Sequence, residues 1–94
     1  MKAKSVYKIP KGKLLKISLD YDEKNNIINM IGITGDFFAY PEEIIEILED
    51  ELKNSIIDKE LLLKKINTVI EENNIQFIGL NAEGLVDGIL KCLI

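Results

Sequence analysis

The run Ile31-Gly32-Ile33-Thr34-Gly35-Asp36-Phe37-Phe38-Ala39-Tyr40-Pro41-Glu42-Glu43 constrains the fold of this chain more than any other stretch. It starts as a β-branched strand, turns at glycine and aspartate, and ends on a proline and two acids suited to the opening of a helix. Three of the chain's six aromatics, Phe37, Phe38 and Tyr40, fall within four of its residues. Corners of this kind are normally polar, so two adjacent phenylalanines there must be covered by something. Either they plug the domain's own core, or they form an apolar spot that another protein covers. If the backbone stays extended, the two rings point to opposite sides, so one enters the core while its neighbour faces outward.

The stretch before this corner reads as a meander. Val6 to Ile9 forms a short edge strand ended by Pro10, and Pro10-Lys11-Gly12 marks a turn in which Gly12 tolerates positive φ. Leu15, Ile17, Leu19 and Tyr21 then alternate with Lys16, Ser18, Asp20 and Asp22, the period of a half-buried strand. Glu23 to Asn26 form a polar hairpin turn, and Ile27 to Thr34 return as the next strand. After the corner the period changes to that of helices. Pro41 fits a helical first turn, where its missing N–H costs nothing, and Glu42 and Glu43 suit the positive end of the dipole. Ile44, Ile45, Leu48 and Leu52 form the first apolar stripe, with Ile47 on its flank. Asp58 is a candidate N-cap for a second helix over 59–72, with Leu62, Leu63, Ile66, Val69 and Ile70 buried. Ile75 to Leu80 read as an apolar connector, and Asn81 or Ala82 opens a last helix with Leu85, Val86, Ile89, Leu90 and Leu93 inward. Strands followed by three helices predict an α+β domain: a two- to three-stranded antiparallel sheet with the helices packed on one face. The whole chain, 1–94, reads as one domain.

Composition excludes more than it proposes. There is no histidine, removing the commonest general base and metal ligand, and no arginine, removing the bidentate fork for phosphate. The lone cysteine, Cys92, cannot form an intramolecular disulfide or a cysteine-only metal site, and reads as a small apolar residue of the last helix. No apolar run approaches the roughly 20 residues needed to cross a bilayer, and no signal-peptide core follows the basic start. A cytoplasmic protein is therefore expected. Net charge is −4, unevenly spread: six of twelve lysines lie in the first sixteen residues, while 42–51 hold six acids and no base. These are either two solvated surfaces or a basic hairpin facing an anion or an acidic partner. Nucleic acid is a poor partner for an acidic domain without arginine.

No motif supplies chemistry by itself. Gly32 and Gly35 precede a helix, but no Gly-Lys-Ser/Thr ending or G-x-G-x-x-G spacing makes a phosphate loop. Asp36 stands apart from the solvated helix carboxylates; beside Gly35 it can cap backbone amides at the corner or hold a lysine across an interface. Without histidine or a metal it is not a catalytic set, so no catalytic residue and no metal site are assigned.

Two segments carry a family resemblance: Lys8-Ile9-Pro10-Lys11-Gly12-Lys13-Leu14, and, after a strand pair, Ile33-Thr34-Gly35-Asp36-Phe37-Phe38-Ala39-Tyr40-Pro41-Glu42-Glu43. Together they resemble the accessory domain of lipoate–protein ligase, which is fused behind the catalytic domain in bacteria and is a separate small subunit in some archaea. Gly79 to Leu90 are similar to that family's final helix. Lys11 departs from the family, standing where a glycine or small polar residue is expected. The resemblance implies a fold like the iron–sulfur scaffold and sulfur-acceptor proteins, without their cysteine ligands. It also implies a non-catalytic small subunit needed, with a large catalytic subunit, for ATP-dependent adenylation of lipoate before transfer to a lysine of a lipoyl-acceptor domain. The implied partners are that large subunit and, indirectly, acceptor domains; ATP and lipoate belong to the complex, and this chain alone binds no cofactor.

On this reading the residues facing the partner or its active site are Lys8, Gly12, Lys13, Gly35, Asp36, Phe37, Phe38 and Pro41. Lys8 and Lys13 supply positive charge near the active site or its acidic rim. Phe37 or Phe38 anchors the interface, and Asp36 fixes the corner or pairs with a basic group. The competing readings are a protein-interaction module unrelated to lipoylation that uses the same corner, and a stand-alone ligand binder or self-associating domain.

Overall fold

The computed structural model describes residues 1–93; Ile94, the last residue of the expected domain, lies outside them. The elements run β1 (Lys2–Lys8), β2 (Leu14–Asp22), β3 (Ile27–Gly35), β4 (Phe38–Tyr40), α1 (Ile44–Leu52), α2 (Lys59–Asn73), β5 (Gln76–Ile78) and α3 (Ala82–Lys91). The architecture is α+β, as expected, with β1-β2-β3 forming an antiparallel meander. Its first strand is longer than the expected Val6–Ile9, because Lys2, Lys4 and Ser5 pair in register with Asp20, Ser18 and Ile17.

Alternation sets the sheet's inner face. Leu15, Ile17 and Leu19 of β2 are buried, as are Ile31 and Ile33 of β3. A bulge opposite Asp20 and Tyr21 leaves Asn29 unpaired between Ile28 and Met30. The extra residue resets the alternation, turning Ile28 inward alongside Ile31. The helices cover this face: α1 lies over β3, α3 over β1 and β2, and α2 packs against both helices. Their stripes follow the helical period, with Ile44, Leu48 and Leu52 buried on α1, Leu62, Ile66 and Val69 on α2, and Leu85, Val86 and Ile89 on α3. Leu93 is an exception to the expected stripe; it lies past the end of α3 and is exposed. Cys92 is buried, and burial pushes its thiol pKa up.

Caps place the helices. The Asp58 carboxylate accepts the Leu61 amide at 3.0 Å, and the Asn81 side-chain oxygen accepts the Gly84 amide at 2.6 Å. The close approach of α3 to the sheet depends on small residues: a Cβ at Gly88 would sit 2.8 Å from Leu15 Cδ2. There the Ser5 hydroxyl donates to the Gly88 carbonyl at 2.7 Å, tying β1 to the helix.

Two features correct the sequence reading. The segment 75–80 is not a plain connector: Gln76–Ile78 form β5, which pairs antiparallel with β4 in a separate two-stranded ribbon. Strands and helices are therefore not segregated along the chain, since β5 falls between α2 and α3. In addition, Pro41 does not occupy the first helical turn. The helix begins at Ile44 with Glu43 at its N-cap, and Pro41 instead starts a turn in which its carbonyl accepts the Ile44 amide at 3.0 Å. The Tyr40–Pro41 peptide bond is cis.

Candidate functional site

Backbone hydrogen bonds gather three distant segments at one end of the sheet. The β1–β2 connection closes on itself, with Gly12 N–H donating to Ile9 O at 2.8 Å. Lys8 Nζ reaches back to the same turn, donating to Gly12 O at 2.6 Å and Ile9 O at 3.2 Å. Lys8 thus braces its own hairpin, and its charge stays at the hairpin tip. Positive φ in this turn falls on Lys11 (φ 60°), not on Gly12 as expected. Gly12 is needed for a different reason: a Cβ there would lie 2.9 Å from the Gly79 carbonyl oxygen and from Ile9 Cγ2. Ile9 itself is fully buried, wedged against Gly84 at the start of α3.

The second segment is the Gly35-Asp36 corner. Gly35 has φ +153°, and a Cβ there would collide with the Leu14 carbonyl oxygen. That same oxygen accepts the Asp36 amide at 2.9 Å, so the corner is tied to the residue next to Lys13. The Asp36 carboxylate does not cap a helix. It is exposed, and among the described residues neither a hydrogen bond nor an ion pair reaches it.

The third segment is the ribbon. Phe37 is half-buried against the core, whereas Phe38 is 61% exposed, so the two rings do part company at the corner. Phe38 pairs directly with Ile78 of β5, itself 58% exposed, and Tyr40 (53%) follows two residues on, on the same face. The inward face of the ribbon carries Ala39 opposite Phe77, both packed on the core. Gly79, immediately after β5, then accepts the Lys13 amide through its carbonyl at 2.9 Å. Hairpin, corner and ribbon are therefore one assembly. It brings together Lys8, Gly12, Lys13, Gly35, Asp36, Phe37 and Phe38, while Pro41 lies at the far end of β4.

Sequence reasoning missed Ile78 and Gly79. Gln76 between Ile75 and Phe77 held a partial signal, which the apolar Ile78 then breaks, and three residues of strand gain meaning only beside their partner. What the site offers is an exposed apolar rib beside fixed lysine charge. Among the described residues no group of three or more metal-ligating side chains forms.

Fold and site together define an α+β domain that presents an exposed apolar rib. Residues 6–89 match the family described as the bacterial lipoate protein ligase C-terminus, and the chain belongs to that family. It is 42% identical over 66 residues to lipoate-protein ligase A subunit 2 of Thermoplasma acidophilum. That alignment spans 70% of this chain and 61% of the relative. Its fold also matches a chain from the Thermoplasma acidophilum structure of a bi-partite lipoate protein ligase and its E2 lipoyl domain. The TM-score is 0.81 at 31% identity, covering 95% of this chain and 94% of the other.

Proposed function

We propose that this chain is the small, non-catalytic subunit of a two-part lipoate–protein ligase, required with a large catalytic subunit for ATP-dependent formation of lipoyl-AMP. The observation that carries the reading is the exposed Phe38–Ile78 pair, held rigid beside the lysine hairpin in a domain of this family. An aromatic and an aliphatic side chain fixed side by side on a short ribbon make the kind of anchor that protein interfaces bury at their centre. The relatives' names, a second subunit and a bi-partite ligase, support a separate catalytic partner.

In this reading the small subunit acts by position. Phe38 and Ile78 seat against the large subunit, and the hairpin brings the Lys13 ammonium to the rim of its ATP and lipoate pocket. Closure there excludes water from the adenylate and completes the binding site without any proton passing through this chain. ATP and lipoate are substrates of the complex, and the lipoyl-acceptor domain meets the chain only through that complex. The test is lipoyl-AMP formation by the large subunit, with lipoate and ATP, in the presence and absence of this protein. A strong dependence on its addition is expected. A large subunit equally active alone would overturn the proposal.

A further inference from the structure

The three helices cover only one face of the meander, and among the described residues nothing packs on the other. Its residues stand in cross-strand rows set by the register. The central row is Lys4–Ser18–Gly32, flanked by Lys2–Asp20–Met30 on one side and Val6–Lys16–Thr34 on the other. Ser18 and Gly32 are small, so the middle of the face is a hollow. Met30 (60% exposed) and Val6 (65%) stand on either side of it. In these three rows the lysines Lys2, Lys4 and Lys16 outweigh the acid Asp20; Asp22 stands beyond them on the same face, and Lys8 is turned back onto the hairpin tip. Lysines on an edge strand guard that edge against pairing with another chain, yet this does not explain a hollow flanked by lysines and two exposed apolar side chains.

We infer that this open face is the second half of the docking surface, and that its occupant is an acidic surface of the catalytic subunit presenting an apolar side chain to the Ser18–Gly32 hollow. The inference rests on the subunit reading above. Charge decides the chemistry of the occupant: this face is basic, although the chain as a whole carries a net charge of −4. Size decides that the face and the ribbon share one occupant. Three strands of seven residues offer about 14 by 23 Å, on the order of 300 Å². A stable interface needs about 800 Å² per partner. Neither the face nor the small Phe38–Ile78 rib reaches that alone. They are joined along the chain, because Thr34 belongs to the open face and Gly35, Asp36, Phe38 and Tyr40 continue it as an exposed strip.

The test compares variants of the full chain for binding to the large subunit, by calorimetry and by association rate across a salt series. Gly32→Val fills the hollow from the solvent side; a Cβ at Gly32 meets only Ser18 Cβ, at an ordinary 3.6 Å, so the fold is left intact. Lys4→Glu with Lys16→Glu reverses the charge. Each is expected to weaken binding on the order of tenfold, with the charge reversal slowing association and flattening its salt dependence. Circular dichroism and the melting temperature should stay as in the wild type. If both leave affinity and salt dependence unchanged while Phe38→Ala weakens binding, the open face is not an interface and the subunit reading stands. If the wild-type chain forms no complex, both proposals fall. If sedimentation shows a homodimer that Gly32→Val dissociates, the occupant is a second copy and this inference is overturned.

Discussion

The Lys13 amide donates to the Gly79 carbonyl oxygen at 2.9 Å, and this bond joins the basic hairpin to the end of the apolar ribbon. Gly79 makes the contact with φ +84°, and the position a Cβ would occupy is already filled by the Lys13 stem. A non-glycine residue there combines backbone strain of about 1–2 kcal/mol with displacement of that stem. Gly79→Ala should therefore lower the melting temperature on the order of 5–15 °C, given about 4–8 °C per kcal/mol for a domain of this size. Thermal unfolding followed by circular dichroism checks it, and an unchanged midpoint would show that the hairpin and ribbon are held together by something else.

Phe38 should behave in the opposite way. Its ring is mostly in solvent, so Phe38→Ala is expected to change stability by less than about 0.5 kcal/mol. As a central anchor it should cost the complex about 2 kcal/mol or more, roughly thirtyfold in Kd. If Lys13 acts at the pocket rim as proposed, Lys13→Ala should lower the adenylation rate of the complex with a smaller effect on affinity. If both variants stay folded and leave Kd and lipoyl-AMP formation untouched, these residues do not form the interface.

Much of this architecture is legible before any coordinates, and the parts that are not share a cause. The alternation of Leu15, Ile17 and Leu19, the stripe of Leu62, Ile66 and Val69, and the caps Asp58 and Asn81 are local signals, each readable within one element. The ribbon is not local: Gln76–Ile78 become a strand only by pairing with Phe38–Tyr40, which two helices separate from it in the chain. Likewise Lys2 to Ser5 lack the apolar residues that signal a strand, and pairing with β2 decides their state. At the site, the division of labour between Phe37 and Phe38 follows from backbone extension. The recruitment of Lys8 to the carbonyls of Ile9 and Gly12 does not, since a lysine at a hairpin reads the same whether it turns outward or back. At Gly12 the restriction comes from close approach to Gly79 and not from its own φ, and only the folded chain brings those two residues together.

Glu49 ties the acidic helix to the sheet. Its carboxylate accepts the Ile33 amide at 2.7 Å, satisfying an outward N–H on the edge strand β3 and fixing α1 against it. A hydrogen bond to a charged, partly buried acceptor contributes about 1.5–3 kcal/mol. Glu49→Ala should destabilise the domain by that order in urea unfolding, whereas Glu49→Gln, which keeps an accepting oxygen, should recover part of the loss. A Glu49→Ala variant as stable as the wild type would mean that the bond contributes nothing.

Asp22 predicts the acid limb of the stability profile. Its Oδ2 accepts the Asn25 side-chain amide at 2.8 Å, and its Oδ1 accepts the Asn25 and Lys24 backbone amides at 3.2 and 2.9 Å. These bonds, the Asn25 side chain foremost, favour the carboxylate and hold its pKa below the ordinary value of 3.8. The unfolded chain therefore takes up the proton more readily than the folded one. The stabilisation is complete above the unfolded value and is lost as pH falls through the lower, folded value. The stability gap between the wild type and Asp22→Ala should accordingly stay constant from pH 7 to about 5 and close below 3.8. Urea unfolding of both proteins along a pH series measures the gap directly. A gap that persists unchanged at pH 2 would show that the turn is held by its backbone alone and that the Asp22 charge takes no part in it.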